Sequence, residues 1–98
     1  MVRGKGSQSK HDAEIQKIAK ELQFKGFDVK ADISGFSKPE TIRGYLPDVI
    51  AQKGKQKKVV EIETPDSVSS SRDVKQQQAF RQAAKQDPNT TFRRKVTD

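Results

Sequence analysis

The chain has 98 residues, enough for one domain and not two. Its apolar content of 31% allows only a small core, and its formal charge of +7 favours nucleic acid or another acidic partner. With no Cys, disulfides and thiolate zinc sites are excluded, and a single His rules out a His-rich metal cage within one chain. No apolar run reaches the ~18–20 residues of a membrane span, and no signal-peptide core follows Met1. The expectation is a soluble cytoplasmic protein with no membrane partner.

Residues 1–9 carry Gly, Ser and basic side chains and read as a flexible basic arm before a single domain at 10–98. Ile15, Ile18, Ala19 and Leu22 then recur at helical spacing, predicting a helix over 10–25 that Gly26 ends. Ser9 and Asp12 resemble a capping box at its start. His11 begins the apolar stripe one turn before Ile15, while Glu14 and Glu21 line the stripe beside it. Capping and solvated pairing with Lys account for these polar residues; leaning toward a site in the sheet is the functional alternative.

Phe27, Val29, Ala31 and Ile33 alternate with Asp28, Lys30 and Asp32, the pattern of a half-buried strand with Asp32 in solvent. Residues 34–44 are turn-rich, and Pro39 suits the first position of one helical turn over 39–42. Lys38 or Arg43 of this loop would be placed to touch a substrate. Two apolar runs, 45–51 and 59–64, flank the basic hexapeptide 52–57 and predict an antiparallel hairpin with Gly54 in its turn. Lys53, Lys55, Lys57 and Lys58 cluster there, either as a solvated tip or as contacts to phosphates.

Three acids interrupt these runs: Asp48, Glu61 and Glu63. Strand alternation places Glu61 and Glu63 on one face with Val59. A carboxylate is seldom buried unless it is paired or holds a metal, so acids on one sheet face of a basic chain point to metal-dependent chemistry on a polyanion. Pairing with Lys and Arg at a wet sheet face is the alternative, equal or stronger for Glu63 taken alone.

Ser residues in the polar loop 65–72 can cap a second helix over 72–86, where Val74, Ala79, Phe80, Ala83 and Ala84 form a narrow stripe. Asp87-Pro88-Asn89 ends it, and residues 90–97 read as a final edge strand. The order is α-β-β-β-α-β, an α/β (α+β) fold with one mixed sheet flanked by helices.

That order, with Pro47-Asp48 in the second strand and Glu61-Ile62-Glu63 in the third, resembles the PD-(D/E)XK nuclease superfamily and its restriction-endonuclease-like core. The resemblance implies that Asp48 and Glu61 bind a divalent metal, Mg²⁺ or Mn²⁺. Glu63 stands where the motif carries Lys, a departure that leaves activity open, since some restriction enzymes have Glu there. The resemblance also makes Glu14, then Glu21, the first-helix acid that completes the site. Gln76 and Phe80 resemble the Gln-x-x-x-Tyr element of the exonuclease branch, with Phe in place of Tyr.

The implied chemistry is phosphodiester hydrolysis, with Glu63 orienting water, accepting its proton or holding a second ion. The cation that steadies the developing phosphate charge is to be sought in Lys75, or in Lys57 at the far end of the strand. Lys53, Lys55, Lys57, Lys58, Arg43 and Gln76 are the candidates for contacting nucleic acid, DNA before RNA. A chain this short would need a partner or a homodimer for strong sequence specificity. A non-catalytic nucleic-acid-binding module on the same fold, and a protein-interaction domain whose charge serves solubility, are the competing functions.

Overall fold

In the computed structural model the described residues are 5–63 and 71–96. They form α1 (Lys5–Phe24), β1 (Asp28–Ala31), β2 (Val49–Lys53), β3 (Gln56–Glu63), α2 (Ser71–Gln86) and β4 (Thr90–Val96). The order is α-β-β-β-α-β, as the periodicities predict. One sheet holds all four strands in the spatial order β1-β2-β3-β4, so β4 forms one edge. β1–β2 and β2–β3 pair antiparallel, and β3–β4 pair parallel, making the sheet mixed. The parallel pair needs a crossover, and α2 provides it. No described helix is long and apolar enough to cross a membrane.

α1 begins at Lys5, five residues earlier than expected, which puts Ser9 inside the helix and removes it as a cap. Its other end is where Gly26 predicts. Gly26 takes φ +94°, its N–H donates to the Gln23 carbonyl at 3.0 Å, and Phe27 N–H donates to the Leu22 carbonyl at 3.0 Å. These two bonds are the Schellman pattern, accompanied by its usual apolar contact, here Leu22 with Phe27 in the core.

Alternation splits the sheet into two faces. Val29, Ala31, Val49, Ala51, Val60 and Ile62 meet Ile15, Ala19 and Leu22 of α1 in one core. The opposite face carries Val59, Glu61 and Glu63, with Phe92 in register with Val59. α2 packs on β4 there, its buried Phe80 ring 5.7 Å from that of Phe92.

The segment between β1 and β2 departs from expectation. No helical turn follows Pro39. Instead Ile42 and Tyr45 exchange backbone bonds of 2.8 and 3.0 Å around Arg43 and Gly44, whose φ values are +53° and +85°. Two consecutive positive φ angles are the type I′ hairpin arrangement, and it overrides the Pro signal. The β2–β3 hairpin is also tighter than the expected hexapeptide: Lys53 pairs with Gln56, leaving only Gly54 and Lys55 in the turn. Gly54 has φ +59° at the first central position, as a type II′ turn requires. The expected Ser cap of α2 lies in the loop 65–72, mostly outside the described residues.

Candidate active site

The β2–β3 ladder ends at the pair Val49 and Val60. Beyond it, side chains take over the cross-strand bonding. Asp48 N–H donates to Glu61 Oε1 at 3.0 Å, and Ile62 N–H donates to Asp48 Oδ2 at 2.8 Å. Each acid thus binds a backbone amide of the other strand, which fixes both carboxylates. Pro47, fully buried just before Asp48, has no N–H to extend the ladder in the ordinary way. The Asp48 carbonyl accepts from Asp32 N–H at 2.9 Å, tying the same residue to the end of β1.

All three acids are buried: Asp48 is 8% exposed, Glu61 3% and Glu63 4%. Such burial excludes the wet, solvated face as the explanation for this group. Glu63 follows Glu61 by two residues on the same face of β3, so the position of the motif Lys is occupied by a third buried acid.

From α1 comes His11. Its Nε2–H donates to the Ile62 carbonyl at 3.0 Å and lies 3.4 Å from Asp48 Oδ2. The helix stripe that buries Ile15, Ala19 and Leu22 carries His11 to the sheet one turn earlier. Glu14, by contrast, is engaged with β4: Lys95 Nζ donates to Glu14 Oε2 at 2.7 Å. Lys95 is in register with Ile62, so this ion pair lies on the α1 face of the sheet, opposite the face that carries Glu61 and Glu63. Glu21 is exposed farther along the helix.

The remaining sequence candidates lie on α2, at the β2–β3 hairpin tip and in the β1–β2 connection. Lys75 is exposed and Gln76 half-buried on α2, and among the described residues neither bonds to the acids. Phe80, the counterpart of the Tyr in the exonuclease element, is a core residue at 1% exposure. The hairpin tip lies at the opposite end of β3 from Glu61, about 17 Å away at the usual rise per residue. There Lys53 Nζ donates to the Lys25 carbonyl at 3.0 Å, and the Lys53 and Lys58 ammonium groups lie 5.7 and 5.2 Å from the Phe27 ring centre. Lys55 is exposed in the turn, and Lys57 is half-buried beside it. Arg43 donates from Nη1 to Gln82 Oε1 at 3.1 Å and from Nη2 to Gln86 Oε1 at 2.8 Å, so it clasps α2.

Two cations that sequence reasoning passed over lie nearer. Arg94 is in register with Glu61, and Lys95 with Ile62. Their signal was the run Arg93-Arg94-Lys95 within the final strand.

Mg²⁺ takes oxygen ligands, keeps several waters and needs only one or two protein carboxylates. Asp48 and Glu61 fit that demand: two acids of different strands, held together by backbone amides in a buried place. Among the described residues no group of three or more His, Asp or Glu forms a ready metal cage, so these two would hold an ion together with water.

A mixed sheet in this order, flanked by two helices and bearing buried acids at the ends of β2 and β3, defines a restriction-endonuclease-like domain of the PD-(D/E)XK superfamily. The chain belongs to the AHJR-like restriction-endonuclease-like family, whose model matches residues 5–98. No curated protein matches the sequence.

Proposed function

We propose that the protein is a metal-dependent nuclease that hydrolyses phosphodiester bonds of nucleic acid, with DNA as its substrate. The observation that carries this reading is the reciprocal locking of Asp48 and Glu61 through backbone amides at 3.0 and 2.8 Å, inside a family of nuclease-like fold. Burying two acids side by side is costly, and a site for a divalent cation offsets that cost. The cation would be Mg²⁺ or Mn²⁺ held by Asp48 and Glu61; when bound it lowers the pKa of water and neutralises phosphate charge.

The chain's own residues perform the positioning. The Asp48 and Ile62 amides hold the two carboxylates in place. His11, at the Ile62 carbonyl and beside Asp48 Oδ2, keeps that oxygen oriented. Glu63, on the same face as Glu61, is the group available to take a proton from water.

The test is cleavage of labelled DNA duplex and single strand with Mg²⁺, Mn²⁺ or a chelator. Wild type is expected to cut only with a divalent ion. Asp48→Asn and Glu61→Gln preserve shape and hydrogen-bond acceptors, and each is expected to lower the rate at least a hundredfold. Cleavage that survives both substitutions would overturn the assignment. The second reading, a non-catalytic nucleic-acid-binding module, draws on Glu63 at the Lys position; it predicts DNA binding without cutting under any ion.

A further inference from the structure

β4 is an edge strand, and grooves flank it on both faces. One, of about 290 Å³, lies between α1 and the sheet, over an apolar floor that includes Ile18 and Leu22. The cations along it are Lys25, Lys58, Arg93 and Lys95. The other, of about 520 Å³, lies between α2 and β4, where Arg81, Lys85 and Arg94 surround Phe92. The two linings together hold seven cations and one acid, Glu21. Lys95 is neutralised by Glu14, but the Arg93 and Arg94 guanidinium groups have no ion-pair or hydrogen-bond partner among the described residues.

Charged side chains on an edge strand keep it from pairing with other chains. Only Arg93, Arg94 and Lys95 of the seven lie on β4, so edge protection does not account for Lys25, Lys58, Arg81 and Lys85, and together the cations match a polyanion. The patch also leads somewhere. Arg94 is in register with Glu61, and neighbouring strands stand about 4.8 Å apart, so the basic edge adjoins the buried acids without a gap.

We infer that the β4 edge is the surface on which the phosphate backbone of DNA lies, bringing a phosphodiester to Asp48 and Glu61. This rests on the nucleic-acid reading of the site, and it replaces the hairpin tip as the principal contact. Arg93 and Arg94, facing opposite grooves, straddle the backbone. Phosphate contacts of this kind set register without reading sequence.

The experiment measures binding of a labelled DNA duplex in chelator, so that catalysis plays no part, over a range of salt concentrations. Wild type is compared with the double variant Arg93→Gln/Arg94→Gln. A charge-matched control, Lys17→Gln/Lys20→Gln, alters exposed residues of α1. Circular dichroism and the thermal midpoint confirm that each variant is folded. The arginine pair is expected to bind at least tenfold more weakly, with a log–log salt slope smaller by about two, at about 0.9 per phosphate lost. The lysine pair is expected to stay near wild type.

Equal losses in both variants, or wild-type affinity and slope in the arginine variant, would overturn the inference while leaving the nuclease reading intact. Wild-type binding that depends on the arginines, with no cleavage under any divalent ion, would sink the nuclease reading and uphold this surface. Failure to bind DNA at low salt, with arginine-dependent binding to polyglutamate instead, would show that the edge receives an acidic protein and would overturn the proposal.

Discussion

A buried aspartate that accepts a backbone amide from a neighbouring strand has a structural duty, whatever chemistry it also serves. Asp48→Ala would strip Ile62 N–H of its acceptor, and leaving a buried donor unsatisfied costs about 1–3 kcal/mol. Asp48→Asn keeps an oxygen at that place. Urea unfolding of the two variants should therefore separate by roughly that amount, and under the proposed function neither would cleave. Asp87 tests a different point. Its carboxylate accepts from the Thr90 hydroxyl at 2.6 Å and from Asn89 N–H at 3.0 Å, and these bonds hold its pKa below the usual carboxylate range. A lowered folded pKa means stability that is fully present above the unfolded value near ~3.9 and is lost as pH falls through the folded value. Asp87→Asn is expected to lower the thermal midpoint at neutral pH, and the gap from wild type should narrow below about pH 4.

At the level of helices and strands, apolar spacing carries most of the information. The stripe Ile15, Ala19, Leu22 and the alternation Val29, Ala31 are local patterns, and each maps onto a buried face. The Schellman end at Gly26 was legible because only glycine takes φ +94° without strain. The turn around Arg43 was not. A non-glycine residue at φ +53° is uncommon, and what holds it there is distant in sequence: Gln82 and Gln86 on α2. The acids divide in the same way. Asp48 and Glu61 could be picked out as misplaced polar residues in apolar runs. The pairing of Glu14 with Lys95, 81 residues away, depends on where β4 docks, and no local pattern announces it. Phe80, picked out in the sequence by a resemblance, is buried against Phe92. Phe80→Ala should cost about 3–5 kcal/mol in chemical unfolding, through the cavity opened beneath Phe92.

For the molecule as a whole, the arrangement of the sheet has a consequence for synthesis. β1, β2 and β3 are neighbours in sequence as well as in space, so each can pair as soon as it leaves the ribosome. β3 then waits for the whole of α2 to be made before β4 covers it. During that interval the β3 edge, which includes Val59, Val60 and Ile62, offers unpaired amides and carbonyls beside apolar side chains. A chain stopped after residue 86 keeps that edge open for good. It is expected to sediment as aggregates or associate through intermolecular strands, as light scattering and infrared spectra would show, while the chain carrying β4 remains dispersed. Arg93 and Arg94 then have an earlier task than any encounter with a phosphate: β4, as it covers β3, brings with it the like charges that keep copies of the chain apart.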